Sequence, residues 1–403
     1  MEKKTIGVFY GSRSCEHEVS IISAVQMMRY ADPEKYNTVP VYITTSGEWY
    51  TGEKLKDMRS YIPFDPYCKD YRKVQLDMAA GSGALVCYHR GKGLLKGLEE
   101  EVVARLDCAV LVLHGLHGED GSLQGLLEMA NIPYTSSGVT ASAVGMDKIT
   151  MKCFFRGMGY PVLPSVPAVR SDYEKDADKV CGMIEKELGY PVFVKPACLG
   201  SSIGVSRAGD RENLKQALEL AFSYDRRVLV EKGLNKPIEV NCSVLGYDDD
   251  VEASVLEMPI DSGDFLDFSE KYLSGGGAKG MASLKRVMPA PIGEELTKKL
   301  QELSKEIFRA MDCKGVVRID YMLDRESDHY YITEINTIPG SLAFYLWQEC
   351  GVKYSELIDR MVACAERAHD DKDRNNYAFT SDILKGVSLG GTKGAKGTKG
   401  CKL

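Results

Sequence analysis

Residues 315–341, GVVRIDYMLDRESDHYYITEINTIPGS, constrain the fold more than any other stretch of the chain. Their pattern predicts two β-strands joined by a polar turn. Because side chains alternate along a strand, Arg318 and Asp320 share one face of the first strand. Glu334 and Asn336 share one face of the second. If the two polar faces coincide, one side of a buried hairpin carries two carboxylates, an amide and an arginine.

Such a hairpin needs its charge compensated. Burying carboxylates without a partner costs several kcal/mol per group. A hard divalent cation would compensate them, since Mg²⁺ takes oxygen ligands from one or two carboxylates together with substrate phosphates. The alternative is the solvent-facing polar side of an edge hairpin, and the D-x₁₃-E-x-N spacing alone does not decide between the two.

Length and composition exclude several classes of protein. A chain of 403 residues is too long for one core and predicts two or three domains of a soluble protein. The net charge of −7, without a basic patch, argues against nucleic-acid binding. The longest apolar run, near Leu111, predicts a strand rather than a membrane span, and the N-terminus does not resemble a secretory signal. Twelve scattered cysteines without a C-x₂-C pair indicate reduced thiols in a cytosol.

The first third of the chain predicts an open α/β sheet. A strand at 5–10, a small-residue loop and a helix to about residue 30 form the opening unit of a sheet whose ligands lie beyond the strand ends. Glu16 and Glu18 fall in the first turn of this helix. They interact favourably with the helix dipole there, and a carboxylate pair could equally hold a substrate ammonium. Residues 50–105 are interpreted as an insertion with a small hairpin.

The loop HGLHGEDGSLQG follows a buried strand at 108–113. Its two histidines, His114 and His117, have a spacing that occurs in metal sites. With no third ligand nearby, we favour a loop shaped by hydrogen bonds. A helix at 139–158 then carries Lys148, for which an exposed position is the simplest expectation.

A second informative stretch is 190–204, YPVFVKPACLGSSIG. It predicts a strand that ends at Lys195 and a loop of small residues. Such a loop lets backbone N–H groups approach phosphate oxygens, and a lysine adds a positive charge. It is neither a Walker A loop nor a dinucleotide fingerprint, so the signal is weak by itself. A strand at 227–232 ends at Glu231 and Lys232, where the backbone could meet an adenine edge.

The last third of the chain contains a long glycine-rich loop at 259–283, which is typical of a lid. Lys271 and Tyr272 precede its glycines, where a closing lid would bring them over a site. A long amphipathic helix at 292–311 follows. From residue 371 to 403 the chain is polar and ends in a Gly- and Lys-rich segment, which predicts a flexible tail.

Two lysines, a GSS loop, an EK strand end, a glycine-rich lid and a carboxylate hairpin resemble, in this order, the ATP-grasp superfamily. With GSRSCEHEVS, HGLHGEDGSLQG, ASAVGMDKITMK and EKY added, the chain is identified as a member of the D-alanine–D-alanine ligase family. The resemblance runs from about Thr5 to His369, interrupted at 50–105.

The resemblance implies an α/β protein in which an N-terminal open parallel sheet precedes an ATP-grasp fold of two α+β subdomains. The implied segments are an N-terminal domain at 1–146 with an insertion around 50–105, a central subdomain at 147–241, a C-terminal subdomain with metal site and lid at 242–370, and a tail at 371–403.

The resemblance also implies the chemistry. ATP lies between two sheets, and the carboxylate of one D-amino acid attacks the γ-phosphate to give an acyl phosphate. The amine of a second D-amino acid attacks that carbonyl, and phosphate leaves. The simplest substrates are two D-alanines for a peptidoglycan precursor, with ATP and Mg²⁺ (or Mn²⁺) as cofactors. A cytoplasmic homodimer without nucleic-acid or membrane partners is expected.

Individual roles follow from the same resemblance. The implied metal ligands are Asp320, Glu334 and Asn336. The implied ATP-binding residues are Lys148, Lys195, Ser201, Ser202, Glu231, Lys232, Leu234, Glu239 and Lys271. The implied first-substrate residues are Glu16, His114 and Glu119. Glu16, Ser201 and Tyr272 match a hydrogen-bonded triad that ties the lid to the first substrate. Arg318 and Gly340 match groups that stabilise the tetrahedral intermediate.

The acceptor position departs from the family pattern. After NTIPG the family usually has Met-Thr and then His-Ser-Leu, whose serine and its neighbour bind the second substrate's carboxylate. This chain has SLAFYLW, which places Tyr345 and Leu346 there. Tyr272 favours an amine acceptor over D-lactate, because ester-forming ligases usually carry a histidine at that position. D-Serine or another amino acid therefore stays open as the acceptor, and a non-catalytic ATP-binding regulator ranks last because the metal and lysine positions are intact.

Overall fold

The computed structural model describes residues 2–91, 97–260 and 285–377. Its helices in these ranges are α1 (His17–Tyr30), α2 (Ser122–Met129), α3 (Val139–Met146), α4 (Lys148–Gly157), α5 (Arg170–Lys175), α6 (Ala177–Leu188), α7 (Arg211–Tyr224), α8 (Glu294–Ala310), α9 (Phe344–Glu349) and α10 (Tyr354–Asp373). Its strands are β1 (Lys4–Gly11), β2 (Tyr36–Ile43), β3 (Trp49–Thr51), β4 (Arg72–Leu76), β5 (Ala84–Arg90), β6 (Leu98–Arg105), β7 (Cys108–Leu111), β8 (Ser165–Val169), β9 (Val192–Pro196), β10 (Ser206–Ala208), β11 (Arg227–Lys232), β12 (Ile238–Tyr247), β13 (Asp250–Pro259), β14 (Arg286–Val287), β15 (Lys314–Leu323) and β16 (Tyr330–Asn336).

The N-terminal sheet has the strand order β6-β5-β4-β3-β2-β1-β7. Strand β1 pairs in parallel with β2 and with β7, as expected for an open α/β sheet. The strands from β3 to β6 are antiparallel to their neighbours. The sheet is therefore mixed rather than wholly parallel. Residues 50–105, interpreted from the sequence as an insertion, extend this same sheet, and β5 with β6 is the expected hairpin.

The central sheet is antiparallel, with the order β10-β9-β11-β8. Apolar residues of α6 and α7, such as Ile184 and Leu218, pack with Val194 and Val230 of the sheet into one core. Alternate residues of β9 are buried there, which leaves Lys195 on the opposite face.

The third sheet has the order β14-β13-β12-β15-β16 and is antiparallel. The predicted hairpin is confirmed: Arg318 lies opposite Asn336, and Asp320 lies opposite Glu334, so the two polar faces coincide. A bulge follows Asp320, and the hydroxyl of Thr333 donates to the Asp320 carbonyl at 2.8 Å. The predicted amphipathic helix is α8, which packs on this sheet.

The predicted helix at 139–158 is two helices, α3 and α4, which meet at Asp147. The Asp147 carboxylate accepts a hydrogen bond from the Thr150 backbone N–H at 2.9 Å, so it caps α4. Lys148 is the first residue of α4 rather than a mid-helix surface residue. Its Nζ donates to the Leu199 carbonyl at 2.8 Å, and its side chain is 13% exposed.

The last elements of the chain return to the N-terminal sheet. Apolar residues of α9 and α10, including Trp347 and Leu357, share one core with β1, β7 and α1. Ion pairs reinforce the contact, with Lys4 at 2.5 Å from Glu366 and Lys35 at 2.6 Å from Asp359. The residues after 340 therefore complete the N-terminal core.

Two predicted segments fall largely outside the described residues. The predicted lid at 259–283, with Lys271 and Tyr272, is described only to residue 260. The predicted tail at 371–403 begins inside α10, which ends at Asp373, and it is described only to residue 377. Across the described part of the chain, none of the helices combines the length and the apolar character that crossing a membrane would require.

Candidate active site

A cleft lies beyond the carboxyl ends of β1 and β7, where the N-terminal sheet meets the other two sheets. Most of the predicted site residues line it: Glu16, His114, Glu119, Lys148, Lys195, Ser201, Ser202, Glu239, Arg318, Asp320, Glu334, Asn336 and Gly340. These residues come from all three sheets and are brought together from positions more than 300 residues apart in the sequence. The position agrees with the general rule that ligands bind at strand ends in open α/β sheets.

Other predicted residues do not line this cleft. The Glu231 side chain is buried beneath it, and Tyr345 and Leu346 are buried at 5% and 0% exposure. The Lys232 Nζ donates to the Tyr190 carbonyl at 2.9 Å, and Leu234 lies outside the lining. Lys271 and Tyr272 belong to the residues that the structure does not describe.

The hairpin gathers the predicted metal ligands. The Asn336 amide donates to Asp320 Oδ2 at 3.0 Å, and Lys148 Nζ lies 3.3 Å from Glu334 Oε2. Arg318 donates to both Asp320 oxygens at 2.7 Å. Burial raises the pKa of the Asp320 carboxyl against the opposing effect of Arg318, and Glu334 adds to the rise.

This oxygen-rich set suits a hard divalent cation. A carboxylate has about four lone-pair positions, so the three hydrogen bonds that Asp320 accepts, two from Arg318 and one from Asn336, leave acceptor capacity. Glu334 and the amide oxygen of Asn336 supply further oxygen donors. A Mg²⁺ ion would also remove the electrostatic cost that raises the pKa of Asp320, so the residues fit the ion.

The small-residue loop after β9 approaches the first helix closely. Ser201 and Ser202 have left-handed backbone conformations, with φ of 51° and 60°. The Ser201 hydroxyl donates to the Glu16 carboxylate. A Cβ on Gly200 would lie 2.8 Å from a Glu16 oxygen, so a larger residue there would displace the Glu16 carboxylate. Glu16 itself immediately precedes α1, at its N-cap position, rather than lying within the first turn.

The loop after β7 is built by hydrogen bonds, as predicted. His114 Nδ1 lies 3.1 Å from the Ile338 carbonyl, and its Nε2 lies 3.0 Å from the Ser23 hydroxyl. Burial lowers the pKa of His114 to about 4, so the imidazole is neutral at pH 7. Glu119 accepts backbone hydrogen bonds from Gly115 at 2.8 Å and Ile338 at 3.1 Å. Burial raises the pKa of Glu119 to about 8, and nearby Glu16 adds to the rise.

Lys152 is a residue of this region that the sequence analysis missed. Its side chain is 2% exposed, and its Nζ lies 2.7 Å from Glu231 Oε1. Lys195 binds the other oxygen of the same carboxylate at 2.6 Å. Burial alone would raise the pKa of Glu231, but the two lysines lower it to about 2. The sequence did contain a sign of this position. Lys152 lies one helical turn after Lys148, so both side chains share one face of α4.

A second missed group surrounds Tyr345. The Tyr345 hydroxyl donates to Glu257 Oε1 at 2.9 Å, and Asn241 donates to the same oxygen at 3.0 Å. Arg286 Nη1 donates to Glu257 Oε2 at 2.7 Å, and its guanidinium lies 3.8 Å from the centre of the Tyr345 ring. Glu257, Arg286 and Asn241 line the cleft, whereas Tyr345 does not. The three charged or phenolic groups come from β13, β14 and α9, so no sequence spacing links them.

Comparisons with known proteins agree with this architecture. The family model "D-ala D-ala ligase N-terminus" matches residues 5–137, and "D-ala D-ala ligase C-terminus" matches residues 154–363. The D-alanine–D-alanine ligase of Thermosipho melanesiensis is 38% identical over 380 residues, which is 94% of this chain and 98% of that protein. The D-alanine–D-alanine ligase of Acetivibrio thermocellus is 38% identical over 376 residues, covering 92% and 98%.

Two solved structures share the fold. The D-alanine–D-alanine ligase from Coxiella burnetii has a TM-score of 0.75 and 26% identity, over 93% of this chain and 97% of that chain. The VanG D-Ala:D-Ser ligase from Enterococcus faecalis has a TM-score of 0.74 and 31% identity, over 90% and 100%. The fold is thus that of an ATP-grasp enzyme of the ligase class. Within that class, the chain belongs to the D-alanine–D-alanine ligase family.

Proposed function

We propose that this enzyme uses ATP to join two D-alanines, forming ADP, phosphate and the dipeptide for a peptidoglycan precursor. The single observation that carries the proposal is the hairpin of β15 and β16, which presents Asp320, Glu334 and Asn336 to a cleft that also contains Lys148 and Lys195. The names of the full-length relatives support the choice of D-alanine.

The nucleotide end of the cleft neutralises the negative charge of the triphosphate. Asp320, Glu334 and Asn336 would hold Mg²⁺, which when bound neutralises phosphate charge and brings the triphosphate close to a carboxylate. Lys148 and Lys195 contact phosphate oxygens, and the small-residue loop with Ser201 and Ser202 supplies backbone N–H groups. Lys232, Leu234 and Glu239 lie along the predicted adenine and ribose side. Glu231 contributes through its backbone and by holding Lys195, because its carboxylate is buried between two lysines.

The amino-acid end of the cleft positions the donor. Glu16 takes the ammonium of the first D-alanine, while His114 and Glu119 shape the loop around it. The donor carboxylate oxygen bonds to the γ-phosphorus as the bridging P–O bond to ADP breaks. The acceptor amine then attacks the acyl carbonyl, and the C–O bond to phosphate breaks. Arg318 and the Gly340 N–H stabilise the oxyanion that forms between these steps.

Phosphate release tests this proposal. The purified chain should release phosphate from ATP and Mg²⁺ with D-alanine, and mass spectrometry should find the D-alanyl-D-alanine dipeptide. Glu334→Gln removes a metal-binding charge and should slow turnover by orders of magnitude. The matched control is Glu326→Gln in the exposed turn between β15 and β16, which should leave turnover unchanged. Normal turnover in Glu334→Gln would contradict the metal site, and no release with any D- or L-amino-acid pair would contradict the activity.

A D-serine acceptor is the second candidate. It is favoured by the likeness to the VanG D-Ala:D-Ser ligase and by Tyr345 at a position where the family pattern has serine. The same amino-acid panel separates the two, since a D-alanyl-D-serine product in preference to the D-alanine dipeptide would select this candidate.

We also propose three domains, one for each sheet. The predicted boundary between residues 241 and 242 falls inside β12, so we place it before that strand, at 233–237. The boundary at 146/147 coincides with the break between α3 and α4. A cytoplasmic location and a homodimeric state stay predictions.

A further inference from the structure

Tyr345, which the family resemblance places at the acceptor carboxylate, already uses its hydroxyl proton within the protein. A tyrosine hydroxyl has one proton to donate, and that of Tyr345 goes to Glu257 Oε1 at 2.9 Å. Burial and Glu257 raise the pKa of Tyr345, so the hydroxyl keeps that proton at neutral pH. The side chain is 5% exposed and lies behind the cleft lining. Tyr345 is therefore poorly placed to donate to a substrate carboxylate.

Arg286 lies in front of this tyrosine. Its guanidinium covers the Tyr345 ring at 3.8 Å and lines the same cleft as Arg318 and Gly340. A guanidinium has five N–H donors in a planar fork that can bind more than one carboxylate at once, and Nη1 of Arg286 donates to Glu257. Stacking on the ring and pairing with Glu257 fix the orientation of that fork.

Glu257 is the anchor of this group. It accepts from Arg286, from the Tyr345 hydroxyl and from the Asn241 amide, and its side chain is 2% exposed. Because two neutral donors share in stabilising the Glu257 carboxylate, Arg286 is not its only partner. The guanidinium can therefore share a second carboxylate without leaving Glu257 uncompensated.

We propose that Arg286 binds the α-carboxylate of the acceptor amino acid and that Glu257 and Tyr345 hold the guanidinium in position. This inference rests on the proposed ligase function and adds the group that recognises the second substrate. The arginine replaces the serine of the family pattern as carboxylate donor. It restricts acceptors to amino acids with a free carboxylate, whatever their side chain.

The test compares Arg286→Gln with Tyr345→Phe in the full-length enzyme. Loss of a charge-assisted hydrogen bond in Arg286→Gln should raise the acceptor KM about 30- to 100-fold, with kcat changed much less. The KM for ATP should stay within about two-fold, since Arg286 is not among the residues that we assign to the nucleotide. Tyr345→Phe keeps the stacked ring and should change the acceptor KM by no more than about three-fold. Arg325→Gln in the exposed turn before β16 is the matched control and should behave as wild type.

A double variant separates loss of acceptor binding from loss of stability in Arg286→Gln. That change leaves Glu257 buried without its ion-pair partner, and such a group can destabilise the fold. The double variant Glu257→Gln with Arg286→Gln removes both charges. It should melt close to the wild-type temperature and still show the raised acceptor KM.

D-Alaninamide, which lacks the carboxylate, provides an independent readout as acceptor. The wild-type enzyme should use it at least about 30-fold less efficiently than D-alanine, and Arg286→Gln should lose this discrimination. The wild-type enzyme could be active while Arg286→Gln shows an unchanged acceptor KM and unchanged discrimination. That result would overturn the role of Arg286 and leave the ligase function standing. A large KM increase in Tyr345→Phe with none in Arg286→Gln would assign the carboxylate to the tyrosine and also overturn it. A wild-type enzyme inactive with every amino-acid pair would overturn the ligase function and this inference with it.

Discussion

Glu231 and Glu119 are two carboxylates near the same cleft, and their surroundings give them opposite behaviour. Glu231 lies between Lys152 and Lys195, at 2.7 and 2.6 Å, and its pKa is about 2. Glu119 accepts two backbone hydrogen bonds, and burial raises its pKa to about 8. Within residues 2–91, 97–260 and 285–377, Glu119 takes part in no ion pair.

The difference shows how each end of the cleft is built. Two lysines offset the desolvation of Glu231 and lower its pKa, so the proposed nucleotide end of the cleft rests on buried ion pairs. The partial charges of two N–H groups do not offset desolvation at Glu119, and the neighbouring Glu16 carboxylate opposes its ionisation. The proposed donor end therefore rests on hydrogen bonds and on a carboxyl whose raised pKa favours the protonated form at pH 7.

The largest effect is expected for Glu231→Gln. This change leaves Lys152 buried without a carboxylate and should lower the free energy of unfolding by about 3–5 kcal/mol. Thermal unfolding and urea unfolding measure the loss. Adding Lys152→Met to Glu231→Gln removes the unpaired cation and should restore much of the stability. A Glu231→Gln protein as stable as wild type would contradict the claim that Glu231, unlike Glu119, stabilises the fold through ion pairs.

A smaller effect separates the two lysines of Glu231. Lys152 is 2% exposed and Lys195 is 15% exposed and lines the cleft. Lys152→Met should lower the free energy of unfolding by about 2 kcal/mol, more than Lys195→Met does. Lys195→Met should instead raise the KM for ATP more than Lys152→Met. Equal effects of the two changes on both quantities would show that the lysines are not divided into a structural and a nucleotide-binding residue.

The smallest effect is expected for Glu119→Gln, and it depends on pH. The amide resembles the protonated carboxyl but can accept only one of the two backbone hydrogen bonds, so the loss at pH 5 should be about 1 kcal/mol. The folded pKa of Glu119 lies above the ordinary value of 4.5. Its protonated form is thus favoured by folding, and its contribution falls as pH rises from about 4.5 to 8. Because this pKa shift is worth more than about 1 kcal/mol, the stability advantage of wild type over Glu119→Gln should shrink across that range and then reverse.

The pH dependence of the stability contribution has the opposite sign for Glu231. Its folded pKa of about 2 lies below 4.5, so its contribution is complete above about pH 4.5 and is lost as pH falls toward 2. Urea midpoints measured from pH 4.5 to 8.5 for wild type and Glu119→Gln give the comparison. Parallel pH profiles would contradict the raised pKa of Glu119.

Sequence reasoning predicted the hairpin of β15 and β16 well, because alternation with period two determines which residues share a face. It missed the break at Asp147, although aspartate is one of the preferred N-cap residues. It could not predict the group of Arg286, Glu257 and Tyr345, which we propose binds the acceptor. The contact between Arg286 and Glu257 depends on the register of β14 against β13, where Pro259 lies opposite Arg286. Tyr345 comes from a third element, and nothing in the spacing of these residues encodes their meeting.

The return of α9 and α10 to the N-terminal core has a consequence for biosynthesis. A ribosome releases β1, α1 and β7 more than 200 residues before Trp347 and Leu357, with which they share that core. The N-terminal sheet is synthesised first, but its core is complete only after the last two helices have been synthesised. Until then, the apolar surface that these helices cover stays exposed. Nascent chains arrested before residue 340 should expose that surface to chaperones and proteases, and release of the full chain should bury it.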